Sequence, residues 1–294
     1  MSQPIVIRTL LIFLALTSVL RAQCAADHRS NKNGGVLIKD FTIVGTQTLS
    51  STELAEMTAE LSGSCFDEDS EEMGERVRYI FQNRGYFSVE VKSVSLKPAD
   101  PLGVPKSVLL EADVTEGLRY KLAEIGFLKN RSLSAEQLRE AFPLKTGEIF
   151  ETGKVMQGLE SVRKLYGTNG FLDSALIPET GLGSNGTVSL KITAEEGPQY
   201  RMGKLEILAP KETATRLFSQ WKLTEGEVYD QSYVDRYITE NRDLLPSKFS
   251  KGDVVLGKDC PNAVVHLQLI VDPDENSSRS KPKNIPCESH DGPK

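Results

Sequence analysis

Apolar residues fall along this chain in two alternating rhythms, one of strands and one of helices, that follow each other in a fixed order. Phe41 and Ile43, Ile125 and Phe127, and Leu205 and Ile207 each stand two residues apart, which puts the side chains of each pair on one face of a strand. A helix signal follows the first two pairs. Ser51 precedes Glu53, Leu54 and Met57, and Ser134 precedes Glu136 and Leu138. A serine can accept the unpaired amides of a first turn, and an early glutamate suits its positive end. Pro143 stops the second of these helices.

A longer helix comes next. Met73, Val77, Ile80 and Phe81 recur at helical spacing, as do Val155, Leu159, Val162 and Tyr166, before Gly85 or Gly170 ends the run. One apolar stripe per helix implies packing against one face of a sheet. Two strand-like segments then close each unit: Val89, Val91 and Val94 with Val108, Leu110, Ala112 and Val114, and Ala175 and Ile177 with Val188, Leu190 and Ile192. Their alternation leaves one sheet face polar, as in an antiparallel or mixed sheet backed by helices.

This order of strand, helix, helix, strand, strand repeats. Glu116-Gly117 followed by Tyr120 returns as Glu196-Gly197 followed by Tyr200, an offset of 80 residues, and the run Leu144 to Phe150 returns as Leu223 to Tyr229, an offset of 79. Gly85-Tyr86-Phe87 likewise answers Gly170-Phe171-Leu172. Three modules are expected, at 36–117, 118–197 and 198–271. The third is less regular: Phe218 and Trp221 lie near the end of its first helix, Tyr229, Tyr233 and Tyr237 mark its second, and Val254, Val255, Val264, Val265, Leu267 and Leu269 supply its closing strands.

The N-terminus reads as a leader. Arg8 precedes the apolar run Thr9 to Leu20, with cleavage expected after Ala22; the run is short of the roughly 20 residues that span a bilayer, so 1–22 fits a signal peptide. Gln23 disfavours lipid attachment at Cys24. Losing the leader removes Arg8 and Arg21 and takes the formal charge from -6 to -8, a balance that argues against nucleic acid as a partner. Export permits disulfides. Cys24, Cys65, Cys260 and Cys287 allow three full pairings, of which Cys260 with Cys287 is expected, tying the polar tail 272–294, otherwise expected to be flexible, to the third module.

Chemistry finds no foothold in the sequence. His28, His266 and His290 are scattered, and no nucleophile stands beside a base in a recognisable setting. Glu116 and Glu196 hold equivalent places in separate modules and cannot converge on one substrate; both are read as solvated or capping carboxylates. The acidic run Asp67 to Glu72 lacks the glycine and ligand spacing of a calcium loop. The expectation is a protein with no catalytic residue, no cofactor and no metal.

Taken together, Phe41-Thr42-Ile43-Val44-Gly45, the two glycine-aromatic runs, and the recurring Glu116-Gly117 and Glu196-Gly197 resemble the polypeptide-transport-associated (POTRA) domains of the outer-membrane assembly and translocation family. The resemblance covers about residues 36 to 271. It implies an α+β fold of tandem βααββ modules, two helices packed on a small mixed sheet, and a periplasmic location near the outer membrane. It also implies roles in receiving unfolded outer-membrane proteins or organising partner subunits. Family members often carry a C-terminal β-barrel, for which the residues after Val271 are too few; the chain is expected to supply the soluble receptor part.

The expected mechanism is noncovalent, an extended client pairing with an exposed sheet edge. The candidate edges are marked by Phe41 and Ile43, by Val89 and Val91, or by Ala175 and Ile177. The rival expectation is an adaptor that grips a folded barrel or envelope complex through Trp221 and Tyr229. The partners are accordingly extended outer-membrane polypeptides, a separate barrel-assembly protein, or both.

Overall fold

The computed structural model describes residues 36–66, 70–100, 107–183 and 185–272. The leader, Cys24, Asp67 to Asp69, Cys287 and the tail beyond Asp272 lie outside the described residues.

The first module runs β1 (Val36–Val44), α1 (Ser51–Ala59), β2 (Cys65–Phe66), α2 (Ser70–Gln82), β3 (Glu90–Asp100) and β4 (Ser107–Thr115). Its sheet has the order β2-β1-β4-β3, with β1 parallel to β4 and β3 antiparallel to it. The second module supplies β5 (Lys121–Leu128), α3 (Ala135–Ala141), α4 (Thr152–Thr168), β6 (Ala175–Gly183) and β7 (Thr187–Glu195), with sheet order β5-β7-β6. The third supplies β8 (Arg201–Leu208), α5 (Lys211–Gln220), α6 (Tyr233–Glu240), β9 (Val254–Asp259) and β10 (Val264–Ile270), with order β8-β10-β9. In each, the chain returns from its helices to the far side of the sheet before filling the middle, so the last strand is flanked by the other two.

The helix starts follow the expected chemistry, with one shift. Ser50 rather than Ser51 caps α1: its hydroxyl accepts from the Glu53 amide while the Glu53 carboxylate accepts from the Ser50 amide. Ser134 and Gln137 make the same reciprocal pair at α3. In the third module Pro210 precedes α5 and offers no side-chain cap. Tyr229, expected in a helix with Tyr233 and Tyr237, instead follows Val228, which bridges to Arg201 of β8.

The first module closes its core with Ile38, Phe41, Met57, Val77, Phe81 and Leu110; Tyr200, Leu217, Tyr237, Val265 and Leu267 are among those at the centre of the third. Stripes on α4 and β7 bury Val162, Tyr166, Leu190 and Ile192 in the second. By contact density the chain forms two compact units. One holds the residues to Lys121 with Gly147–Gly153 and Gly183–Thr187; the other holds Leu122–Thr146, Lys154–Leu182 and the chain from Val188.

Both glycine-aromatic loops make the same connection inside their units. In the first unit the Gly85 carbonyl accepts from the Tyr120 amide at 2.9 Å, the Tyr120 carbonyl from the Phe150 amide at 3.0 Å, and the Asn83 carbonyl from the Thr152 amide at 3.1 Å. In the second, the Gly170 carbonyl accepts from Tyr200 at 2.8 Å, the Tyr200 carbonyl from Tyr229 at 3.0 Å, and the Gly167 carbonyl from Gln231 at 3.1 Å. Gly170 holds φ at +85°, and a Cβ there would stand 2.7 Å from the Tyr200 carbonyl oxygen, so a side chain is opposed by dihedral and space alike. The echo of Tyr120 in Tyr200 and of Phe150 in Tyr229 is thus the trace of one repeated hydrogen-bond ladder.

Candidate polypeptide-binding edges

Each glutamate-glycine pair has a structural task that its sequence position did not reveal. Glu116, expected in solvent or at a cap, is only 4% exposed; one oxygen accepts from the amides of Gln47 and Thr48, both at 2.7 Å, and from the Thr48 hydroxyl at 2.9 Å. Glu196 repeats this with the amides of Arg131 and Ser132 and the Ser132 hydroxyl, and also accepts from the Tyr166 hydroxyl at 3.2 Å. Each carboxylate therefore braces the loop between its module's first strand and first helix. Burial pushes the pKa of both upward, but the donated hydrogen bonds outweigh it and hold both below the ordinary 4.5.

A second polar cluster lies within the second unit, where the loop after α4 meets β9. The Tyr200 hydroxyl donates to Asp173 at 2.6 Å, Lys258 also bonds Asp173, and the Lys258 ammonium stands 5.8 Å from the centre of the Tyr200 ring. The Tyr200 hydroxyl lies 3.0 Å from the Cys260 sulfur. Burial raises the Asp173 pKa, and the bonds from Lys258 and Tyr200 more than reverse that. Cys65 and Cys260 are both disulfide-bonded; Cys287, the partner expected for Cys260, lies outside the described residues. The carboxylates of Glu116, Glu196 and Asp173 are thus held by loops and bridges. Among the described residues no group of three metal-ligating side chains converges.

The sheets offer backbone instead. A strand at the end of a sheet presents unpaired N–H and C=O groups, which proteins usually protect with proline, charge or a bulge. Phe41 and Ile43 do not stand at such a border: β1 lies inside its four-stranded sheet, and both side chains are buried in the core. Val89 is buried just ahead of β3, and Val91 is half-buried in β3, an edge strand interrupted by bulges at Val91/Ser93 and Pro98/Asp100.

Ala175 and Ile177 open β6, also an edge strand, in which only Leu176 is buried. Ile177 is 43% exposed and Leu182 57%, so β6 shows solvent both a backbone border and apolar side chains, with Pro178 its one proline. Tyr229 is 1% exposed and belongs to the core; Trp221 is half-buried beside Phe218, which is 59% exposed. β9, which also ends its sheet, is not among the candidate edges of the sequence, because alternation marks a strand without saying which of its sides is paired.

These modules have known counterparts. The model of the POTRA family, described as a surface antigen variable number repeat, matches residues 120–197. The chain is 25% identical over 159 residues to a Treponema pallidum (strain Nichols) protein named "Putative outer membrane protein assembly factor", covering 53% of this chain and 19% of that protein. The chain thus spans about a fifth of that relative's length. The crystal structure of POTRA domains 3–5 of Haemophilus influenzae BamA superposes with a TM-score of 0.53 at 16% identity, over 82% of this chain and 99% of that one; at that identity the likeness is one of fold. Residues 120–197, the second module, thus match a POTRA repeat. Among the described residues no helix is long and apolar enough to cross a membrane, which says nothing of strands that cross as a barrel.

Proposed function

We propose that the chain is a periplasmic scaffold for the assembly or transport of outer-membrane proteins, holding extended polypeptide by adding it as a strand to an open sheet edge. The coarser part of this reading rests on the family, and on the Treponema relative whose name speaks of outer-membrane protein assembly. The finer part rests on one observation: β6 ends its sheet, and from Ile177 to Leu182 every residue is exposed. Main-chain pairing supplies affinity without demanding one client sequence, and the exposed Ile177 and Leu182, five residues apart and so on opposite faces of the sheet, add apolar contact.

A photocrosslinking residue placed at Ile177 or Leu182 tests it in cells. The expected result is a ladder of adducts to outer-membrane polypeptides, lost when Thr180→Pro removes an N–H and bends the strand. Adducts to a single folded partner, unaffected by that proline, would reject strand addition and favour a fixed adaptor.

A further inference from the structure

The outer faces of the three sheets are unequal. In the middle strands of the first two modules, residues turned away from the helices stand in solvent: Leu109 and Glu111 of β4 and Lys191 of β7 are all exposed. In the third, Val265, Leu267 and Leu269 of β10 enter the core, so Val264, His266, Gln268 and Ile270 turn outward. Gln268 is nevertheless only 2% exposed, and the other three are half-buried.

The rest of this face is apolar or small. Val255 of β9 pairs with Gln268, Leu208 of β8 pairs with Ile270, and both are half-buried. Gly257, opposite His266, is buried. His266 lies over Gly203, where a Cβ would stand 2.7 Å from its ring, and its Nδ1 accepts from the Lys204 amide at 3.0 Å. Gln268 donates to the Glu206 carboxylate at 2.7 Å and has a further interaction besides. The module's own helices are on the other side, since Leu217 of α5 and Tyr237 of α6 share the core with Val265. What closes over Gln268 therefore comes from elsewhere in the chain.

Two observations name the segment. The chain leaves the module beside this face, where the amides of Val271 and Asp272 both donate to the Leu208 carbonyl. Cys260 follows Asp259, the partner of Val264, and so stands at the opposite end of the β9–β10 hairpin, and it is disulfide-bonded. Residues 273–286 separate Asp272 from Cys287 and can reach about 45 Å when extended, whereas β10 is about 20 Å long. A segment that starts at one end of the sheet and is bonded at the other has to run its length.

We propose that residues 273–287 form a strap across the outer face of the third module's sheet, pinned by a Cys260–Cys287 disulfide. Ile285 brings an apolar side chain to a face that holds Val255, Leu208 and Ile270, and Arg279, Lys281 and Lys283 bring cations to the exposed Glu206 at its border. Covering these side chains removes apolar surface from water, and a loop already closed by the bridge has less freedom to lose when it docks. The assignment is independent of the β6 reading, since it concerns another module and needs no client.

Disulfide mapping and hydroxyl-radical footprinting of the full chain, both read by mass spectrometry, test it. The map should join Cys260 to Cys287. Oxidation of His266 and Ile270 should rise severalfold in a chain ended after Asp272, while the buried Tyr237 stays protected and the exposed Phe218 keeps its rate. The full-length Cys260→Ser/Cys287→Ser double variant should show a smaller rise at the same two residues, because it loses the pin and keeps the strap.

Cys260 joined to Cys24 or Cys65, or unchanged rates at His266 and Ile270 in the shortened chain, would overturn the strap. Rates in the full chain that fall as its concentration rises would assign the cover to a second copy and overturn it too. Should shortening unfold the module, seen as oxidation of Tyr237, the double variant decides: no rise at His266 and Ile270 there would reject the proposal.

Discussion

The second and third modules share one order of elements, yet after its first helix the second buries Phe142 completely where the third leaves Trp221 half-buried. In the second, Gly158 makes room for Phe142, Glu196 ties down the loop ahead of α3, and Ser134 caps that helix. In the third, Tyr237 takes the room, Pro210 stands where a cap would be, and α5 starts without a side-chain bond. The loop after the second helix differs as well. Gly170 gives its carbonyl to Tyr200 of the following repeat, whereas the loop after α6 has its carbonyls taken by its own Arg242, which donates to Phe249 at 2.7 Å, to Pro246 at 3.1 Å and to Ser247. An inner repeat is stabilised by its neighbours, and a repeat that satisfies its own loop is built differently. The lesson is that one core substitution, glycine to tyrosine, can leave the fold in place and change what the surface offers.

The comparison breaks most sharply at Gly158. Gly158→Val should destabilise the chain by about 3 kcal/mol in urea unfolding, because the new methyls must displace the Phe142 ring in a filled core. A loss below about 0.5 kcal/mol would mean that the ring has another place to go, and the explanation for the half-buried Trp221 would fail with it.

Glu116→Ala should cost about 2 kcal/mol, since the Gln47 and Thr48 amides lose a charged acceptor. The pH dependence has a definite sign. The folded-state pKa values of Glu116 and Glu196 lie below the ordinary 4.5, so their stabilisation is complete above that value and is lost as the pH falls through the folded values. Wild-type stability should therefore drop in acid below about pH 4.5, and Glu116→Gln should show a shallower drop. An equal slope in both proteins would remove the brace from the account.

Arg242→Ala should cost about 1 to 2 kcal/mol by freeing loop carbonyls, and it should raise hydrogen exchange in residues 244–250 alone. The smallest effect is a gain. Pro210→Ser should add about 0.5 kcal/mol by giving α5 the cap that α1 and α3 already have, detected as a higher urea midpoint with an unchanged slope; no gain would show that the β8–α5 turn needs the rigid proline.

Much of this architecture could be read from the residues. The offsets of 80 and 79 and the glycine-aromatic runs reported the modules, because a loop that must accept amides from Tyr120 or Tyr200 cannot vary freely. Ser134 was recognised as a cap at its true position, and Ser50 was missed by one residue because Ser50 and Ser51 are adjacent. The functional surface was less legible. Phe41 and Ile43 looked like strand residues and are, but alternation gives no information about which neighbour a strand acquires, and β1 ends up between β2 and β4. Tyr229 is an aromatic that the fold buries, while Phe218, next to the fully buried Leu217, is the ring that stays outside.

The chain's own order of residues determined the repeat, the class of fold and the places where helices begin, since these depend on local spacing, capping and backbone freedom. Only the tertiary structure decided which strands lie at borders, that Glu116 is sealed inside while accepting three hydrogen bonds, and that Trp221 stays half-buried. Those properties arise from residues tens of positions apart meeting in space, where the volume of one side chain fixes how deep another can sit.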